Sequence, residues 1–263
     1  MEVKEFVSLR KQSTRQEVMK LDHKPKLIII QANDSPASDA YIRGKRKDAA
    51  EIGFEAILDK RDSSITEEEL LSLIATYNAD PTVDGLLVQL PLPSHISETK
   101  VKLAIAPKKD VDGFHPLSEH SPCTPKGIVE YLEEEGFPFQ GKNAVVIGRS
   151  EIVGKPMAKM LLAKNCNVTQ LHSKTSREDM EFYVAHADLI VVATGKLYLL
   201  DHTFTFKKDA YVIDVGMDRG ADGKLHGDCE PGLPVKLQTP VPGGVGLLTR
   251  LALMENLWEA CQK

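Results

Sequence analysis

The stretch Ala144–Thr175, AVVIGRSEIVGKPMAKMLLAKNCNVTQLHSKT, decides the fold. An apolar run from Ala144 to Ile147 stops at Gly148; Arg149 and Ser150 follow, then Gly154 and Pro156. Met157, Met160, Leu161 and Leu162 recur with helical spacing, and a short strand from Asn167 to Leu171 leads into His172, Ser173, Lys174 and Thr175. Strand, tight turn, helix and strand form the layout of a dinucleotide site, where a pyrophosphate sits against the free N–H groups of the helix N-terminus. Gly148, Ser150 and Gly154 do not reproduce G-x-G-x-x-G, and over this stretch alone an ordinary strand–helix turn reads the same way. The end of the second strand separates the cofactors. An NAD site usually carries Asp or Glu about 20 residues on, to bind the ribose 2′-hydroxyl. Ser173 and Lys174 stand there instead, with Arg149 in the first turn. Cations and hydroxyls suit a 2′-phosphate, which a carboxylate would repel. The site reads as NADP before NAD.

The remaining composition sets bounds. At 263 residues, 42% apolar and 27% charged, the chain has room for two modest globular domains. A net charge of −5 gives no broad basic footprint, so no nucleic-acid partner is expected. Cys123, Cys166, Cys229 and Cys261 are far apart and form no C-x-x-C pair, which predicts a reducing compartment and no zinc or other metal. The N-terminal MEVKEFVSLRKQ alternates charged with apolar residues and has no signal-peptide core. No apolar run approaches the roughly 20 residues that span a bilayer. A cytoplasmic protein with no membrane partner is expected.

Working outward, strands and helices alternate. Lys26–Gln31, Phe54–Leu58 and Gly85–Leu90 read as strands, the first and third as continuous apolar runs buried on both faces. Between them the pattern predicts a helix over 39–52, capped by Ser38 and closed by Gly53, and another over 66–77; a third follows near 98–105. The Pro- and Asp-rich stretch 107–125 is the expected domain junction. Beyond it come a helix over 127–135, the dinucleotide stretch, strands 187–193 and 211–215, an irregular loop 239–246, and a last helix from Leu247 to about Cys261. The predicted fold is α/β with two domains, each built on parallel strands: residues 1–115 plus 247–263, and a doubly wound nucleotide domain over 116–246.

Several side chains could carry chemistry. Tyr41 and Lys45 lie four apart on one helix face that continues through Ala49 and Ile52. A Lys turned toward an apolar cleft can act as a base; the spacing alone favours a snorkelling Lys beside a packed Tyr. Gln89 sits at the C-terminal end of its strand, where ligands of open α/β sheets gather, or it satisfies loop backbone. Asp110 and Asp112 flank a tight turn before Gly113 and could be ligands or simple Asx-turns. Loop 239–246, with Pro242, Gly243 and Gly244, suits close approach to a flat ligand or a plain connection. Cys123 has no neighbour that marks it as a nucleophile and reads as structural.

The order of nine motifs goes further: SPASDAYIRGKRKDAAEIG, GLLVQLPLP, KDVDGFHP, PCTPKG, GRSEIVGKPM, HSKT, ADLIVVATGK, IDVGM and TPVPGGVG. Together they closely resemble the methylenetetrahydrofolate dehydrogenase/cyclohydrolase family, from about Leu27 to the last helix. The resemblance implies a folate domain and a Rossmann-type NADP domain with a cleft between them. It implies Tyr41 and Lys45 as catalytic residues, with Gln89 supporting the Lys. Asp112 matches the family's pterin-binding Asp, and Pro242, Gly243 and Gly244 its cleft wall. Gly148, Arg149, Ser150, Ser173, Thr194 and Gly195 match its NADP-binding positions. It further implies a homodimer acting in one-carbon metabolism that serves purine, methionine and histidine biosynthesis. One departure is plain: Leu247 and Leu248 stand where the family usually has Pro and Met, a change expected to loosen the folate wall. Three competing readings follow, a dehydrogenase with little cyclohydrolase, a non-catalytic nucleotide- or folate-binding protein, and a shikimate-dehydrogenase-like reductase. The last gives KDVDG, VQLPLP and PVPGGVG no role.

Overall fold

The computed structural model describes residues 1–262; Lys263, the last residue of the expected first domain, lies outside the described residues. The chain is a two-unit α/β protein. Ser8–Cys123 with the chain from Arg250 onward forms one unit around a three-stranded sheet. Met1–Val7 with Thr124–Thr249 forms the other around a five-stranded sheet. Met1–Val7 thus group with the nucleotide stretch. The reason is local: the Tyr131 hydroxyl donates to Met1 O at 2.9 Å, and Phe6 packs edge-on to Tyr131 at 5.6 Å between centroids.

The first elements are α1 (Val3–Val18), β1 (Lys26–Gln31), α2 (Pro36–Ile52), β2 (Glu55–Lys60), α3 (Glu67–Ala79), β3 (Gly85–Gln89) and α4 (Glu98–Ala104). Strand order is β2-β1-β3, all parallel, with Gln31 level with Gln89 on one side and Lys60 on the other. Leu27, Ile28, Ile29 and Ile30 are at most 2% exposed, as a strand covered on both faces requires. Helix α2 begins earlier than its sequence suggests. Ser35, in extended backbone, is the cap, accepting the Ser38 amide, and Pro36 opens the helix. Proline suits that place because its φ is already helical and its missing N–H would be unpaired anyway. Ser38 is buried inside the helix instead.

The second unit adds α5 (Cys123–Glu134), β4 (Asn143–Ile147), α6 (Gly154–Ala163), β5 (Asn167–Leu171), α7 (Arg177–His186), β6 (Leu189–Val192), β7 (Tyr211–Asp214), a short hairpin of β8 (Asp218–Arg219) and β9 (Leu225–His226), and β10 (Leu237–Gln238). Helix α8 (Val245–Ala260) closes the chain. The sheet runs β10-β7-β6-β4-β5, all parallel. Strand order reverses between β4 and β6, the switch point outside which ligands of doubly wound sheets bind. Helices α1 and α7 were not expected from sequence. Each shows its apolar positions thinly, Val3, Phe6 and Val7 in α1 and Met180 and Val184 in α7, among many charges. Among the described residues no helix is long and apolar enough to cross a membrane.

Candidate active site

In the three-stranded unit, α2 lies on the sheet with Lys45 buried and directed at the end of β3. Lys45 Nζ donates to Gln89 Oε1 at 3.2 Å, and Gln89 Nε2 donates to Leu90 O at 2.8 Å. The second bond turns the amide so that its oxygen faces the lysine. Ser38 Oγ reaches the same Leu90 carbonyl at 3.4 Å, so α2 and the chain after β3 are joined at this point. Tyr41, one turn before Lys45, is half-buried. Burial pushes its hydroxyl up, against the opposing charge of Arg250, which keeps it a neutral donor.

The KDVDG turn separates its two acids. Asp110, 2% exposed, accepts from Gly113 N at 3.2 Å and His115 N at 2.7 Å, so it holds the turn. Burial leads in pushing its carboxyl up. Asp112 makes no such turn. Asp112 lines a small recess together with Asp110, Leu90, Lys102 and Phe114, and Cys123 Sγ lies 3.8 Å from its carboxylate. Cys123 itself is buried and donates to Val111 O at 3.2 Å.

In the five-stranded unit a cavity of about 460 Å³ opens at the switch point. Gly148, Arg149, Ser150, Ser173 and Thr194 all line it, with Lys196 and His172. Two glycines make the turn. Gly148 has φ 130°, and a Cβ there would strike the carbonyl of Ala193. A Cβ on Gly154 would strike the carbonyl of Gly148, so helix α6 could not approach β4 as it does. Ser150 Oγ accepts the amides of Val153 at 3.2 Å and Gly154 at 3.3 Å, capping α6 in place of the acid or serine one residue before it. Gly195 turns in left-handed backbone, φ 64°, between Thr194 and Lys196. Pro242, Gly243 and Gly244 belong to this unit, in the turn before α8; Gly243 has φ 98°.

Three residues of these sites carry no motif. Gln170 Nε2 holds the Gly148 carbonyl at 3.0 Å. Asp228 accepts from the Thr194–Lys196 turn. Arg250 Nε pairs with buried Asp48 at 2.8 Å, and a Cβ on Gly44 would collide with its guanidinium. Only Gln170, at its alternating place on β5, left a trace in the sequence; the others meet partners that are distant along the chain.

The family comparison agrees with the geometry. Residues 1–112 match the tetrahydrofolate dehydrogenase/cyclohydrolase catalytic domain, and residues 122–263 match the NAD(P)-binding domain of the same family. The chain belongs to the tetrahydrofolate dehydrogenase/cyclohydrolase family. A bifunctional protein FolD of Streptococcus pneumoniae is 50% identical over 248 residues, 90% of this chain and 86% of that protein. Two solved structures of this family superpose closely. The bifunctional FolD of Campylobacter jejuni is 38% identical with a TM-score of 0.95, covering 99% of this chain and 97% of that one. The FolD of Trypanosoma brucei, solved with NADP cofactor and inhibitor, is 30% identical with a TM-score of 0.94, covering 100% and 96%.

The cavity of this dehydrogenase/cyclohydrolase family member fits NADP in its chemistry: a glycine turn no side chain could enter, a cation at Arg149, a hydroxyl at Ser173, and no Asp or Glu among the described lining residues. Leu247 lies in the first turn of α8. Its N–H donates to Gly244 O at 2.9 Å, a bond that proline could not make. Leu248 is 0% exposed and packs as core. Among the described residues no group of three or more His, Cys, Asp or Glu is placed to hold a metal ion.

Proposed function

We propose that this chain oxidises 5,10-methylenetetrahydrofolate to 5,10-methenyltetrahydrofolate with NADP⁺ and then hydrolyses that product to 10-formyltetrahydrofolate. The observation that carries the reading is the buried Lys45 with its nitrogen held by Gln89 at the C-terminal end of a parallel sheet. A protein that only bound nucleotide or folate would have no use for an amine held in that way.

When bound, NADP⁺ accepts the hydride that leaves the methylene carbon of the substrate. Gly148, Arg149, Ser150, Ser173, Thr194 and Gly195 would hold the cofactor, and the cation of Arg149 and the hydroxyl of Ser173 would suit its 2′-phosphate. Asp112 accepts from the pterin amino group and ring N–H, and Tyr41 lies against the folate, so the reacting carbon is held in one orientation. The oxidised carbon is a delocalised cation. Hydrolysis adds water to it, breaks its bond to N5, moves a proton from the water oxygen to that nitrogen, and releases one proton overall. Lys45 transfers these protons. Gln89 fixes the lysine nitrogen by accepting one N–H without adding a charge. A cytoplasmic homodimer feeding one-carbon units to purine, methionine and histidine synthesis completes the reading.

The experiment is a two-product assay on 5,10-methylenetetrahydrofolate with NADP⁺, then NAD⁺, following reduced cofactor and methenyl compound separately. Reduced cofactor with recovered 10-formyltetrahydrofolate and no build-up of methenyl compound is the expected result. Build-up that decays at the non-enzymatic rate would leave a dehydrogenase alone. No turnover with either cofactor would sink the enzymatic reading.

A further inference from the structure

We infer that Asp228 is a positioning residue for the cofactor: its carboxylate fixes the Thr194–Lys196 turn, one wall of the cavity at the switch point. The inference deepens the NADP reading of that cavity and rests on it. Asp228 is 0% exposed. Its Oδ2 accepts from Thr194 N at 2.6 Å, Thr194 Oγ1 at 2.9 Å and Gly195 N at 3.2 Å, and its Oδ1 accepts from Lys196 N at 2.9 Å. Three consecutive backbone amides thus converge on one carboxylate. A turn of this shape has no strand or helix to satisfy those donors, and left unpaired away from water they would oppose it. The Thr194 hydroxyl gives its proton to Asp228, so toward the cavity it offers lone pairs only, suited to an N–H or O–H of the ligand.

A second buried acid holds the first. Asp214, 2% exposed at the end of β7, accepts from Gly216 N at 2.9 Å and Asp228 N at 3.0 Å on one oxygen, and from Cys229 N at 2.9 Å on the other. Glycine makes room for both acids. A Cβ on Gly216 would overlap the Asp228 carboxylate, and one on Gly227 would overlap that of Asp214. The order of support runs from β7 through Asp214 to the backbone of Asp228, and from its carboxylate to the wall of the cavity. An ordinary connection between β6 and the next segment needs neither buried charge nor either glycine.

The test is Asp228→Asn, which keeps one acceptor oxygen and turns an NH₂ toward N–H donors. Calorimetry should show the NADP⁺ Kd rising by about 10- to 100-fold, the size expected for bonds to a charged acceptor. Hydrogen exchange of the ligand-free protein should speed up at residues 194–196 while β4 and β6 stay protected. The cyclohydrolase rate on supplied 5,10-methenyltetrahydrofolate, which consumes no NADP⁺, should fall far less than NADP⁺ affinity. Thr194→Val, which removes a single bond, should weaken NADP⁺ by about 3- to 10-fold, and the double variant by less than the product of the two. Wild-type NADP⁺ affinity in Asp228→Asn would overturn the proposal, and so would exchange that rises throughout β4 and β6 with cyclohydrolase lost in step. If Asp228→Asn does not fold, unchanged affinity in Thr194→Val overturns it instead. Wild-type protein that binds no NADP⁺ would refute the cofactor reading, and exchange at 194–196 would then decide whether Asp228 holds the turn.

Discussion

At the scale of single residues, the proposed function rests on the pair Lys45–Gln89 and on the hydroxyl of Ser173 in the cavity lining. Replacing Lys45 with Met keeps the length of the side chain and removes its proton transfer. Cyclohydrolase activity on supplied 5,10-methenyltetrahydrofolate should fall by about 10²- to 10⁴-fold, the usual contribution of a general acid–base group. Dehydrogenase activity should fall much less, because positioning and cofactor chemistry remain. Equal loss of both would contradict the division of labour. Ser173→Glu places a carboxylate where a 2′-phosphate would sit. NADP⁺ binding should weaken by about tenfold or more, since opposed like charges cost several kcal/mol, while NAD⁺ binding changes little. Titrating both cofactors into Ser173→Glu and Arg149→Ala checks this, and an unchanged preference would put the 2′-phosphate elsewhere. Lys45 and Ser173 were legible in sequence because each sits at a fixed offset within its own motif. Asp228 was not, because the amides it holds lie 34, 33 and 32 residues away and no local pattern joins them.

At the scale of elements, helix α2 delivers Tyr41 and Lys45, so its first turn sets where they stand. The cap is Ser35, with Ser38 turned inward to a long bond at 3.4 Å. Ser35→Ala should cost about 1 kcal/mol and lower the Tm of the three-stranded unit by roughly 2–4 °C. Ser38→Ala should cost less. Thermal unfolding of the two variants side by side checks the assignment, and the reverse ranking would restore Ser38 as the cap. Both serines precede the same apolar face; Pro36, which suits a first helical position, points to Ser35, and the extended backbone of Ser35 bears this out. The strands were plain in sequence because a buried parallel strand must be apolar throughout. Helices α1 and α7 were obscured because each buries a narrow stripe under an otherwise charged surface.

At the scale of the molecule, two acids give stability a pH dependence of two signs. Burial leads in raising Asp214 to about 6, from an ordinary 3.8. A carboxyl whose pKa is higher folded than unfolded holds extra protons in the native state between about pH 4 and 6. Its contribution therefore falls as pH rises through that window and is flat above it, by an amount on the order of 3 kcal/mol at 1.36 kcal/mol per unit. Asp188 works in the opposite sense. Burial would raise it, but the Asn143 amide and Lys207 outweigh burial and hold it low. Its contribution is present above about pH 4 and lost in more acid solution. Tm measured from pH 4 to 7.5 for wild type and Asp214→Asn should show the wild type at its greatest relative advantage near pH 4. That advantage should shrink toward pH 6 and then hold constant. A difference independent of pH would mean that Asp214 titrates normally.

The sequence by itself determined the α/β class, the parallel strands, the family, and the side chains that sit inside its motifs, because those properties depend on local periodicity and on residues close together in the chain. The tertiary structure decided what depends on meeting across distance. It gave Asp110 the Gly113 and His115 amides of its own turn, beside a recess that it lines together with Asp112. It joined Lys45 to Gln89 across 44 residues and placed Arg250 against Asp48. It also gave buried Asp228 the task of holding the Thr194–Lys196 turn. Backbone amides carry no sequence signature, and which acid satisfies them is settled only when the strands that bear both are packed side by side.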